Sequence, residues 1–201
     1  MLFANILFQE GVSLYSKFIT IIQKNPIIAA VNNLEKLDLA IASPCKLIFL
    51  LTGNIINIKD IVEKCKKNDK YILVHLDLVE GLSKNEYALK YISEYIKPDG
   101  IITTRGNLIR SAKENNIFAI QRLFILDSMS LDTGIKSIHS TRPEAIEILP
   151  GIMPKAIKRI HGETQIPLIA GGLIIDKEDA IASLNAGAMG ISTSNKAVWY
   201  M

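Results

Sequence analysis

From residue 27 onward, short β-rich apolar runs alternate with stretches whose apolar positions recur every three or four residues. The runs are strand-length and rich in Ile, Val and Leu, and they predict strands at 27–31, 47–52, 71–77, 100–104, 118–124, 145–149, 167–172 and 188–193. Their starts lie roughly 18 to 29 residues apart, the length of one strand–helix unit with tight loops. Strands apolar on both faces are what a parallel sheet covered by helices requires. Between them, 58–68 places Ile58, Ile61, Val62 and Cys65 on one helical face and Lys59, Lys66 and Lys67 elsewhere. The stretch 84–96 does the same with Tyr87, Ala88, Tyr91, Ile92 and Tyr95, and Pro98 marks its end. In 176–186 acidic residues fill the first turn and Gly187 follows the last, the charge bias and stop a helix prefers.

Eight such units predict an α/β chain folded as a single-domain (β/α)8 TIM-like barrel over 27–201. Residues 1–26 would be a short N-terminal helical extension, its helix near 13–24 plugging or flanking the barrel floor. An open doubly wound sheet is the alternative, and it would move a ligand to a topological switch point.

Composition narrows the classes. In 201 residues, 49% apolar content excludes a disordered chain, yet no apolar run is long enough to span a membrane. The apolar start, Met1 to Phe8, lacks a basic leader and a cleavage-like site, so a cytoplasmic location is expected. Cys45 and Cys65 form neither a disulfide framework nor a CxxC pair and read as reduced structural thiols. A net charge of +3 permits an RNA partner without predicting one.

Candidate chemistry gathers at the C-terminal ends of the strands, where barrels of this kind place their sites. The seventh strand ends in Gly171-Gly172 and the eighth in Ser192-Thr193-Ser194-Asn195, at the start of a short terminal helix. Loops after strands seven and eight are the usual phosphate grip, glycine admits an anion close to the backbone, and a helix start offers unpaired N–H groups. The chain is therefore expected to hold a small phosphorylated molecule. His75 and Asp77 share a face if the third strand keeps its alternation, and pentose-phosphate epimerases have a comparable pair. A metal there would need further ligands, but His139 and His161 fall in helical or loop segments; hydrogen bonding within the barrel mouth is the favoured reading. Arg105 after the fourth strand and Arg122 in the fifth could each fork onto a carboxylate or phosphate, or pair internally. Glu147, set between two isoleucines in the sixth strand, must meet a cation, a ligand hydroxyl or a hydrogen-bond network. A Glu147–Arg122 pair would satisfy it and still leave the carboxylate able to accept a hydroxyl.

None of the eight expected strands contains a lysine, so a Schiff-base aldolase has no obvious nucleophile. There is no Walker-type loop and no GxGxxG after a strand, and no cofactor, metal or catalytic residue is nominated. Two basic clusters, Lys64/Lys66/Lys67/Lys70 and Lys155/Lys158/Arg159, are candidate RNA contacts or solvated helix faces. Residues 128–134 are a candidate lid.

Several stretches, in order, resemble one family: Val74-His75-Leu76-Asp77-Leu78, Thr103-Thr104-Arg105, Ile120-Gln121-Arg122-Leu123-Phe124, Ile146-Glu147-Ile148-Leu149-Pro150-Gly151-Ile152, Ile169-Ala170-Gly171-Gly172, and Thr193-Ser194-Asn195 followed by Trp199. From Pro26 onward the chain is similar to the glycerol-uptake operon antiterminator regulators. The resemblance implies a barrel that binds glycerol 3-phosphate as effector and, so loaded, stabilises a leader mRNA against termination, with no established catalysis. It implies that Gly171, Gly172, Ser192, Thr193 and Ser194 hold the phosphate, with Asn195 beside them. Asp77, Arg122 and Glu147, near His75 and Arg105, would meet the glycerol end. Where such regulators often carry arginine, this chain has Asn32 and Ile175, and the pair after Thr-Arg is Gly106-Asn107. An enzyme of the isomerase, epimerase or lyase kind, acting on a small phosphorylated substrate, is the competing reading. No membrane partner is expected, and the oligomeric state is left open.

Overall fold

A computed structural model describes residues 14–201. In chain order the elements are α1 Leu14–Lys24, β1 Ile27–Val31, α2 Leu37–Ala42, β2 Leu47–Leu50, α3 Ile58–Lys67, β3 Tyr71–His75, α4 Glu86–Tyr91, β4 Gly100–Thr103 and α5 Gly106–Glu114. They continue as β5 Ala119–Phe124, α6 Ser128–Thr141, β6 Ala145–Leu149, α7 Pro154–Thr164, β7 Leu168–Gly171, α8 Lys177–Asn185, β8 Gly190–Thr193 and α9 Lys196–Trp199. The strands close in sequence order into a parallel barrel, β8 pairing back onto β1 with Ile28 opposite Ser192. The open-sheet alternative is thereby excluded.

Strand alternation sorts the core into two shells. Ile28, Leu47, Phe49, Leu73, Ile102, Ile120, Ala145 and Ile169 point into the barrel, while their sequence neighbours Ala29, Ile48, Val74, Ile101, Ala119, Ile146 and Ala170 pack beneath the helices. Helix α1 closes the floor. Phe18 and Ile22 from its buried face join the inner shell, and the Phe18 and Phe118 rings lie 4.8 Å apart. Gly190 makes room for this plug, because a Cβ there would overlap Ile22 Cδ1. Residue 13, the expected first residue of that helix, lies outside the described residues.

Expected strands β1 and β6 coincide with those observed, whereas the ends of several others fall short. The third strand leaves the ladder at His75 and turns into a 3-10 helix, Leu76–Leu78, which breaks the alternation that had put His75 and Asp77 on one face. The candidate lid 128–134 is the first half of α6, held at its start by a capping box between Asp127 and Ser130. No helix among the described residues is long and apolar enough to cross a membrane.

Candidate functional site

The inner face becomes polar one layer above the aliphatic core. Two residues beyond Ile120 and Ala145, alternation brings Arg122 and Glu147 inward, and β5–β6 register sets them opposite each other. Arg122 Nε donates to Glu147 Oε2 at 2.7 Å, with side-chain exposures of 6% and 1%. Gly171 is required beside this pair, since a Cβ there would stand 2.7 Å from Glu147 Oε1. Each buried charge thus has its counter-ion, the condition under which such groups are tolerated.

Above the pair opens a cavity of about 680 Å³ at the C-terminal mouth. Arg122 and Glu147 form part of its wall, with Ala30, Leu51 and Leu149. The tips of β7 and β8 supply Gly172, Ser192, Thr193, Ser194 and Asn195 to the same cavity. The convergence expected of these two tips is thus present, but their side chains divide in role. Thr193 points outward: its hydroxyl donates to Ile174 O at 2.8 Å and accepts from the Asn195 N–H. Asn195 donates to Ile175 O and caps Ala197 N, so its amide is committed to tying the β7 loop to the start of α9. Gly172 (φ +75°) and Leu173 (φ +59°) both adopt left-handed backbone, which turns the β7 loop over the mouth. The helix expected to present unpaired N–H groups is only the single turn Lys196–Trp199.

His75, Asp77, Arg105 and Gly171 do not line the cavity. His75 faces the interior, 3% exposed, with Nδ1 unpartnered. Burial, reinforced by the Arg122 guanidinium, lowers its pKa to about 4, so the imidazole is neutral at pH 7. Asp77 Oδ2 instead accepts from Thr104 N–H (2.8 Å) and from the Thr103 and Thr104 hydroxyls (both 3.0 Å), while Arg105 Nε lies 3.3 Å from Oδ1. Burial alone would raise the Asp77 carboxyl, but these hydrogen bonds outweigh it and hold the pKa below its ordinary value. This group braces the turn after β4, and the structure does not bring it together with Arg122 and Glu147 at the cavity.

The sequence pattern of the glycerol-3-phosphate responsive antiterminators matches residues 27–199. The chain belongs to that family. A glycerol uptake operon antiterminator regulatory protein from Listeria monocytogenes superposes with a TM-score of 0.84 and 36% identity, over 87% of this chain and 95% of that one. A glycerol uptake operon antiterminator-related protein from Thermotoga maritima gives 0.78 and 33%, over 87% and 98%. The uncharacterized protein YgcP of Escherichia coli is 42% identical over 179 residues, 89% of this chain and 94% of that relative. A deoxyribose phosphate aldolase from Aeropyrum pernix, at 13% identity and a TM-score of 0.66, shares the fold alone.

Within this antiterminator barrel, most cations nominated from sequence for RNA are engaged inside the molecule. Lys64 pairs with Asp38, Lys66 with Asp99, and Lys67 with Glu63; Lys70 is buried and donates to Ser43 O and Cys45 O. Arg159 bridges Asp132 and Glu163. Among the described residues no His, Cys, Asp and Glu side chains cluster as a metal site would need. The two charged cavity residues missed from the sequence are Lys36 and Lys196. Lys196 directly follows the Ser-Thr-Ser-Asn tip, which is the signal that would have found it, whereas Lys36 lies in a loop where strand alternation gives no guide.

Proposed function

We propose that this chain is a glycerol-3-phosphate-gated antiterminator that stabilises the leader mRNA of glycerol-utilisation operons. The mouth cavity carries the reading: Gly172, Ser192 and Ser194 from the β7 and β8 tips line it together with the Arg122–Glu147 pair. The first group suits a phosphate; the ion pair offers a donor and an acceptor for glycerol hydroxyls. Family membership supports glycerol 3-phosphate as the effector and a regulatory role. Thr193 and Asn195 set the shape of the phosphate side, and Gly171 leaves room for Glu147.

Melting temperature tests the first half. At about a hundred times its dissociation constant, a specific ligand adds roughly 2.7 kcal/mol of stability. Glycerol 3-phosphate should raise the melting temperature and glycerol should barely move it, and Ser194→Asp, which sets a carboxylate at the phosphate side, should abolish the rise. A gel shift with leader RNA, with and without effector at two salt concentrations, tests the second half, because phosphate contacts carry a salt slope. RNA binding that ignores the effector counts against gating. The competing enzyme reading uses the same cavity, but its candidate base, Glu147, is held by Arg122. Turnover of glycerol 3-phosphate or a pentose phosphate, lost in Glu147→Ala, would replace the regulator reading.

A further inference from the structure

We infer that Lys36 and Lys196 are the charge selectors of this mouth, so that it takes a dianionic phosphate monoester in preference to a monoanion. The inference rests on the cavity being the effector site. Four charged residues line it: Lys36, Arg122, Glu147 and Lys196. Arg122 and Glu147 cancel each other at 2.7 Å. Neither lysine has a carboxylate within ion-pair distance among the described residues. Two unanswered positive charges therefore face the cavity. A phosphate monoester near pH 7 carries about −1.5 to −2, whereas a diester or carboxylate carries about −1.

The lysines reach the same place from different elements. Lys36, half-buried in the 3-10 turn Leu34–Lys36 after β1, extends Nζ to within 3.4 Å of Ser194 O. An ammonium has three donors, so this contact leaves Lys36 able to donate to an anion at the β8 tip. Lys196 opens α9 next to that tip. Backbone groups cannot substitute for them. A single helical turn sums few peptide dipoles, and its Ala197 N–H is already capped by Asn195. The strand tips contribute hydroxyls and amides, and the charge comes from the two side chains.

Calorimetric titration of the full chain tests this with glycerol 3-phosphate and its methyl phosphodiester. The wild type should prefer the monoester at least tenfold, and each of Lys36→Gln and Lys196→Gln should lose about tenfold for the monoester alone, the scale of one charge-assisted hydrogen bond. Lys36→Arg should retain the preference. From pH 7.5 to pH 5 the wild type should weaken about tenfold as the phosphate takes up its second proton near pH 6, and the double Gln variant should show little of this dependence. Lys36→Gln keeps a donor for Ser194 O, so a merely structural tether would leave both the preference and the pH dependence intact. Unchanged selectivity in the variants overturns the inference and leaves the proposed function standing. Failure of the wild type to bind either ester overturns both.

Discussion

Arg122 is the counter-ion of Glu147, and each depends on the other because both are nearly buried. Arg122→Met should therefore cost about 3–5 kcal/mol, since it strands a buried carboxylate. The double change Arg122→Met with Glu147→Leu should recover most of that loss, and urea midpoints of the single and double variants check both statements. His75 gives the fold an acid limb. Its unfolded imidazole takes up a proton near 6.5 and the folded one only near 4, so between these values the unfolded chain binds more protons. The stability that His75 contributes is complete above about pH 6.5 and falls by about 3 kcal/mol as pH drops to 4. His75→Gln should flatten this limb in urea titrations run from pH 7 to 4, and a limb of unchanged slope would show that other groups cause it. Arg122 and Glu147 were legible as neighbours because β5 and β6 keep their alternation to the last layer. Asp77 was misplaced because its strand ends two residues earlier, and a continuing apolar run does not mark where a ladder gives way to a 3-10 turn.

At the scale of elements, the plug α1 and the strand β8 share one space. Ile22 is fully buried against the inner shell, and Gly190 is the only residue type at its position that leaves Ile22 where it is. Ile22→Ala should cost about 2–5 kcal/mol by leaving a cavity in the barrel floor. Gly190→Ala should cost about 1–3 kcal/mol through overpacking, and adding Ile22→Val should restore part of it. Thermal unfolding of the three variants separates the two, because a floor helix that merely flanks the barrel would make all three near-neutral. The same elements show what a sequence discloses. Short apolar runs spaced by one strand–helix unit announced all eight strands, and the amphipathic face of α3 was equally plain. The start of α6 was not, since its cap uses Ser130 where the familiar box has Glu or Gln, and Ser, Asp, Thr and Gly in its first half read as loop. Cavity residues from loops, such as Lys36, are the hardest to see, because closure of β8 onto β1 is what brings residue 36 to residue 194.

For the molecule as a whole, the proposed gating requires a difference in affinity between two states. Glycerol 3-phosphate can shift the chain toward RNA binding only as far as it prefers the RNA-competent state. The mouth where β8 closes onto β1 is where such a preference would act: the Lys36–Ser194 contact already ties the loop after β1 to the tip of β8, and a phosphate between Lys36 and Lys196 would draw these elements further together. Thermodynamic linkage then makes a quantitative demand that does not depend on which surface meets RNA. If saturating glycerol 3-phosphate tightens leader-RNA binding by some factor, saturating RNA must tighten glycerol 3-phosphate binding by the same factor. For couplings of typical size that factor is about 5–150. Fluorescence anisotropy of labelled RNA with and without effector gives one side, and calorimetry of the effector with and without RNA gives the other. Both should be measured at one salt concentration, because RNA affinity alone carries the counterion term. Equal factors, reduced together in Lys36→Gln, would place effector and RNA on one two-state molecule. A factor of one on either side would mean that the cavity binds its ligand without reporting it.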